Sequence, residues 1–250
     1  MKTTTLLLLF TILFSSCQQR VKNISFTDRV AKAHLTKDFL QREAIQFDLK
    51  LEFGGTDRIN AKMTLLTNSS KAVIAYSNGA KIIIDQNKVF YSPSIPNKAA
   101  VRFDAYTWSY FFLFPYKVND PGTIWTAYAN TEKNNKNYLT EKLTFASGTG
   151  DAPDDWYVVY ANAKSNLIEK AAYIVTLKSD KEEAEKNPHV IQYLDYKKID
   201  GIPIATKWIF NGWQEGKGLT DELGHATLSN IQFIKVDPNY FEPGADFKTI

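Results

Sequence analysis

Ile45, Phe47, Leu49, Leu51 and Phe53 alternate without a break with Gln46, Asp48, Lys50 and Glu52, and Gly54-Gly55 ends the run. Successive side chains of a strand point to opposite faces, whereas a helical face returns every ~3.6 residues, so this stretch buries one side only as an antiparallel strand with its other face wet. Comparable segments follow at 58–66, 72–76, 81–84 and 89–91, and again at 138–145, 156–162, 168–177, 190–199, 202–210 and 226–236. Asn78-Gly79, Asp200-Gly201 and the polar quartet 163–166 punctuate them, and connections this short make hairpins rather than crossovers. The pattern predicts a mainly β (α+β) fold, one antiparallel sheet of about ten or eleven strands in a single domain. Strand twist accumulates, so a sheet of that width must curl into a half-open barrel. Residues 23–44 are patterned for one or two short helices, with Thr27 as N-cap, Asp28 in the first turn, and Val30, Ala33 and His34 on one face. These helices are available to cover the concave face.

Between residues 103 and 116 lie Phe103, Tyr106, Trp108, Tyr110, Phe111, Phe112, Phe114 and Tyr116. Tyr106, Tyr110 and Phe114 fall at helical spacing and Pro115 blocks continuation, which predicts a helix of about ten residues ending near Phe114, with a buried strand as the alternative for so short an apolar run. Being apolar all round, such a helix belongs across the concave face of the sheet. Two uses of its rings stay open. They are plain core, or Tyr106, Trp108, Phe111, Phe112 and Phe114, joined by Trp125 and Tyr128 beyond the Pro121-Gly122 turn, line a cavity that binds an apolar guest.

Other function classes find little support. Thirty basic against 27 acidic residues give a formal charge of +3, too small and too even for a nucleic-acid binder. One cysteine and three histidines without ligand spacing, His34, His189 and His225, argue against a metal centre, and no cofactor is expected. No nucleophile elbow, phosphate loop or zinc-protease motif occurs, so an enzyme is not expected. Asp151, Asp154 and Asp155 are the densest carboxylates, but they lack the alternating ligands of a calcium loop and read as a polar turn. The charge run 178–186 reads as a solvated loop.

At the N-terminus, Lys2 precedes an apolar core at 6–14 that is well under the roughly 20 residues of a membrane-spanning helix and has the form of a signal peptide. Ser15-Ser16-Cys17 resembles a bacterial lipobox, with Phe14 where leucine is usual. The resemblance implies a signal peptide at 1–16, an acylated Cys17 heading a tether at 17–27, and a domain at 28–250. Acyl chains at ~0.8 kcal/mol per buried methylene anchor a protein firmly without spanning the membrane. No acidic residue intervenes between Cys17 and Asp28, unlike the surface-exported lipoproteins of Bacteroidota, which places the expected location on the periplasmic side of the cell envelope; a monomer on the outer membrane, in preference to the inner, is expected.

The order of elements is itself familiar. An N-terminal helix, a long meander, an aromatic mid-chain helix with a proline exit, and the strands Trp156-Tyr157-Val158-Val159-Tyr160, His189-Val190-Ile191-Gln192-Tyr193 and Asp195-Tyr196-Lys197-Lys198-Ile199-Asp200-Gly201-Ile202-Pro203 resemble the lipoprotein-localisation-factor (LolA/LolB) superfamily, and within it a branch of Bacteroidota lipoproteins. The resemblance implies an unclosed barrel with a helical lid, in which the carriers LolA and LolB shield lipoprotein acyl chains. A lipid or lipoprotein acyl chain is therefore the expected partner, and a structural or protein-interaction lipoprotein with a filled barrel is the alternative.

Overall fold

The computed structural model describes residues 24–250 other than 97, 134 and 178. The signal peptide, Cys17 and the start of the tether lie outside the described residues. Two short helices, α1 (Phe26–Ala33) and α2 (Thr36–Leu40), lead into β1 (Ala44–Phe53), β2 (Thr56–Leu66), β3 (Lys71–Tyr76), β4 (Lys81–Asp85) and β5 (Lys88–Tyr91). The long helix α3 (Lys98–Leu113) and a 3-10 turn at Phe114–Tyr116 follow. Then come β6 (Thr123–Ala127), β7 (Tyr138–Phe145), β8 (Tyr157–Asn162), β9 (Ile168–Tyr173), α4 (Lys181–Ala184), β10 (His189–Ile199), β11 (Ile202–Gln214), β12 (Gly218–Ile234) and β13 (Lys248–Thr249).

Among the described residues thirteen strands form one sheet, in the order β13-β5-β4-β3-β2-β1-β12-β11-β10-β9-β8-β7-β6. This is two antiparallel meanders laid side by side. The first runs from β1 out to β5, the second returns from β6 to β12, and β12 pairs with β1 in the middle, setting Leu49 opposite Leu228 and Leu51 opposite Ala226. The edges β6 and β13 do not meet, so the sheet is curled but unclosed. The connection from β5 to β6 must pass from one edge to the other, and α3 makes that passage across the concavity. Among the described residues no helix is long and apolar enough to cross a membrane.

The alternating run is β1. Ile45, Phe47, Leu49 and Leu51 are buried, Phe53 is half-buried, and the residues between them reach solvent. Phe47 stacks on Phe112 of α3 at 4.3 Å between ring centroids, so the concave face of the sheet and the helix share one core. Asp200-Gly201 makes the β10–β11 hairpin with φ of 47° and 86°, the doubly positive geometry of a type I′ turn that this pair of residues favours. Gly224 stands opposite Phe53, where a Cβ would come within 2.4 Å of the Glu52 carbonyl oxygen.

Several elements differ from the sequence expectation. The sheet has two more strands than the upper count, because β6 is a five-residue strand with no fully buried residue and β13 is only two residues long. Ser25, not Thr27, caps α1: its Oγ accepts the Asp28 N–H at 3.0 Å, since the helix begins at Phe26 and Thr27 is already inside it. Helix α3 is sixteen residues, longer than its aromatic part, because 98–102 contributes alanines and an arginine that favour helix. Pro115 converts its exit into the 3-10 turn. Part of the 178–186 charge run is helical, with the Asp180 carboxylate accepting the Glu183 N–H and Ala184 buried against the convex side.

Smaller clusters cover that convex side. The C-terminal segment crosses it to lay Phe241 on Val73 and Ile83 before β13 pairs with β5, capping that edge. Tyr128 and Tyr138 pack against the cluster of Trp156, Tyr160 and Trp213. There Lys170 and Glu132 form a nearly buried ion pair at 2.7 Å, with the ammonium over the Tyr160 ring and the Tyr160 hydroxyl donating to Glu132 at 2.6 Å.

Candidate functional site: a cleft beside the crossing helix

Helix α3 is held on two sides. The buried Asp104 carboxylate accepts hydrogen bonds from Arg58 at 2.6 Å, from the Trp108 indole at 3.0 Å and from the Tyr76 hydroxyl at 3.3 Å, tying the helix to β2 and β3. Near its C-terminus the Tyr193 hydroxyl of β10 donates to the Phe111 carbonyl at 3.0 Å. Because both ends are fixed while the sheet stays open, the helix does not fill the concavity.

The remaining space is a cleft of about 450 Å³ with mainly apolar walls. Helix α3 supplies Arg102, Tyr106, Ser109, Tyr110 and Leu113, which recur at three- and four-residue spacing on one side, together with Phe103 and Phe111. Leu65, Ala72 and Ile84 come from β2, β3 and β4, and Phe145, Tyr157 and Tyr173 from β7, β8 and β9. The cleft is thus a space between the helix and both meanders.

Its rim is ionic. Arg102 holds Asp151 with two parallel bonds, Nε at 2.6 Å and Nη2 at 2.7 Å. Lys117 donates to the Ser69 hydroxyl at 2.9 Å and pairs with Asp120, and Lys71 pairs with Asp85 at 3.3 Å. Toward the β8–β9 side Asp155 accepts both the N–H and the hydroxyl of Thr176 through Oδ1, each at 2.7 Å. Burial raises the Asp155 carboxyl above the usual carboxylate range, and the two Thr176 bonds oppose that rise. Burial also raises the phenols of Tyr110, Tyr157 and Tyr173, and the Asp155 charge adds to the rise in each.

Of the seven aromatic residues expected to line a cavity, Tyr106 and Phe111 do so. Trp108 faces the other way and packs edge-on to Phe210, Phe112 stacks on Phe47, and Phe114 lies between Tyr110 and Tyr157 outside the cleft wall. Trp125 packs on Phe26 of α1, with its indole donating to the Val118 carbonyl at 2.9 Å, and Tyr128 packs against the convex cluster. The reason is rotational: a helix buried on all sides has one stripe against β1 and β11 and another against the cleft, and an evenly apolar sequence does not say which is which. The sheet contributes lining residues beyond the aromatic run, Tyr157 and Tyr173 among them. Tyr157 was visible in the alternation of Trp156-Tyr157-Val158-Val159-Tyr160, which sends Tyr157 inward while Trp156 and Tyr160 join the convex cluster.

The polar candidates do not converge. His34 is buried between Tyr116 and Tyr196, its Nε2 accepts the Ile168 N–H at 3.0 Å, and burial lowers its pKa to about 3. His189 stacks on Tyr173 and is also lowered by burial, while His225 lies on the surface beside Glu52 and Glu222. Asp151 and Asp155 are engaged separately, by Arg102 and Thr176.

Residues 41–207 match the family of unknown function DUF6503. A search of curated proteins found no match. Three solved structures share the fold with a TM-score of 0.55 each. One is a LolA superfamily protein from Nitrosomonas europaea, 10% identical, over 86% of this chain and 97% of that one. Another is a DUF1329 family protein from Desulfovibrio piger, 14% identical, over 87% and 95%. The third is a domain provisionally named an outer membrane lipoprotein-sorting protein, from Vibrio parahaemolyticus, 10% identical, over 87% and 97%. At these identities the likeness is one of fold, a LolA-like unclosed sheet.

Proposed function

The chain belongs to the DUF6503 family, and from the cleft that its fold leaves open we propose that it is a non-catalytic, membrane-anchored periplasmic lipoprotein that binds the apolar part of a lipid or similar amphiphile. The observation that carries this reading is the 450 Å³ space between α3 and the two meanders. It falls within the roughly 300–1,000 Å³ of small-molecule sites, and its walls are aromatic and aliphatic with few polar groups. A filled barrel would leave no such space. Two of the structures that share the fold are named for the LolA superfamily and for lipoprotein sorting, which accords with an acyl ligand.

The anchor is the second part of the reading, and it rests on Lys2, the apolar run 6–14 and Cys17, the only cysteine in the chain. The tether from Cys17 would hold the domain at the membrane with its cleft free. The binding test uses the full chain carrying Cys17→Ala, which has no acyl groups of its own, titrated with a fluorescent fatty acid. Saturable binding at one site, displaced by unlabelled fatty acid, is expected. Absence of saturable binding to any alkyl probe would overturn the reading.

A further inference from the structure

The cleft contains a carboxylate with no cation. Arg102 pairs with Asp151 and Lys117 with Asp120, so these two acids of the wall are neutralised. Asp155 lines the same cleft, and among the described residues no lysine, arginine or histidine pairs with its carboxylate, whose hydrogen bonds come from Thr176, both through Oδ1. An ionised carboxylate away from water is costly unless a cation or several donors meet it.

The groups around Asp155 are of one kind. Tyr110, Tyr157 and Tyr173 feel its charge, and Asp154 is the other titratable group near it. Tyr157 and Tyr173 are each only 6% exposed and stack on one another, with 5.9 Å between ring centroids, and Tyr110 meets Tyr157 at 5.8 Å. All three rings line the cleft, and none of their hydroxyls is among the buried polar atoms left without a partner, so they open onto the cleft rather than being sealed in the protein. Three phenols lining the cleft and a carboxylate with Oδ2 unused therefore offer a set of acceptors among aromatic rings, whose negative faces attract cations.

We propose that the Asp155 end of the cleft binds the protonated amine of an amphiphile, with Asp155 taking the charge, the hydroxyls of Tyr110, Tyr157 and Tyr173 receiving ammonium N–H groups, and the chain lying along the apolar wall. The inference rests on the proposed lipid-binding function and adds the class of the polar head. An ammonium brings three donors and one positive charge, which answer the acceptors present. A carboxylate head of the same chain length brings a second negative charge to Asp155.

The test compares dodecylamine, dodecanoate and dodecyl glucoside at pH 7 as competitors of a fluorescent alkyl probe, on the full chain carrying Cys17→Ala. Dodecylamine is expected to bind at least tenfold more tightly than dodecanoate. Adding Asp155→Asn keeps an acceptor for Thr176 and should remove that preference while dodecanoate binding holds or improves; Asp151→Asn should leave the preference in place. Tyr173→Phe keeps the ring, removes one hydroxyl and should weaken amine binding several-fold without affecting dodecanoate, which provides an independent reading if Asp155→Asn lowers the melting temperature. Equal binding of amine and carboxylate, or a stronger, Asp155-dependent preference for the glucoside, would overturn the inference and leave the lipid-binding function standing. Failure of every probe would overturn both.

Discussion

Replacing Phe112 with alanine separates the core stripe of α3 from its cleft stripe. Phe112 is 4% exposed, stacks on Phe47 and does not line the cleft. Its truncation removes a full aromatic side chain and leaves a void beneath β1, whose backbone is fixed by pairing on both sides with β2 and β12 and so has little freedom to collapse. The expected loss is about 3–5 kcal/mol, taken from a total of roughly 5–15. For a chain of this length that is a fall of roughly 6–20 °C in melting temperature, measurable by circular dichroism or calorimetry. Ligand affinity of the molecules that remain folded should stay within about threefold of the parent, because the cleft wall keeps Tyr106, Tyr110, Tyr157 and Tyr173. Phe112→Leu, which retains most of the volume, provides a milder variant for the binding measurement. A loss below about 1.5 kcal/mol for Phe112→Ala, or a tenfold change in affinity for Phe112→Leu, would refute the division of the helix into two stripes.

Asp104→Ala strips the Trp108 indole and Arg58 of their shared acceptor and should cost about 2–4 kcal/mol in urea denaturation, discounted because the Arg58 side chain is 36% exposed. Lys170→Met should cost about 3–5 kcal/mol by leaving Glu132 without its cation, and Glu132→Leu in the same chain should recover part of it; a double-mutant cycle giving no coupling above about 0.5 kcal/mol would contradict the buried pair. His34 has a folded pKa of about 3 against 6.5 in the unfolded chain, so below pH 6.5 the unfolded state binds the extra proton. Its contribution is complete above pH 6.5, declines by at most ~1.4 kcal/mol per pH unit as the pH falls, and is gone near pH 3. Urea melts between pH 4 and 8 should therefore show a smaller acid loss for His34→Gln than for the parent, with the lowered His189 keeping some of the slope. Cys17→Ala should move the protein from the membrane fraction to the soluble periplasmic fraction, and continued membrane association would refute the anchor.

The strands were legible in the sequence wherever one face is wet. In β1 the period of two runs from Ile45, and its inward set matches the buried set except for the half-buried Phe53 and the buried Ala44 at the strand's start. Turns were legible where a pair such as Asp200-Gly201 can adopt the required dihedrals. Strand β6 is not legible because none of Thr123–Ala127 is fully buried and its half-buried face holds only Thr123 and Trp125, too short an alternation to recognise. Residues 181–184 were missed because a four-residue helical turn depends more on the Asp180 cap than on any periodicity.

The cleft was less legible than the fold, and the cause lies in its construction. Its walls come from α3, from β2–β4 and from β7–β9, elements that approach one another only because the two meanders join at β1 and β12 and curl toward the helix from opposite edges. No local window holds that information. The aromatic run announced that a crossing helix exists, but its uniform hydrophobicity conceals its rotation, which is fixed by contacts at long range: Asp104 with Arg58 on β2, and the Phe111 carbonyl with Tyr193 on β10. With those two points set, the helix turns Phe112 and Trp108 toward the sheet centre and Tyr106, Ser109 and Tyr110 toward the space at its flank. Asp155 has the same history. In sequence it is one carboxylate in a polar turn; after folding, the start of β8 carries it to the wall formed by Tyr157 and Tyr173 while Arg102 draws the neighbouring Asp151 away to the rim. The polarity of the site, neutralised acids at the mouth and an uncompensated one among the rings, is therefore a product of the tertiary arrangement, and substitutions at Arg58 or Tyr193, far from any ligand, should alter binding by rotating α3.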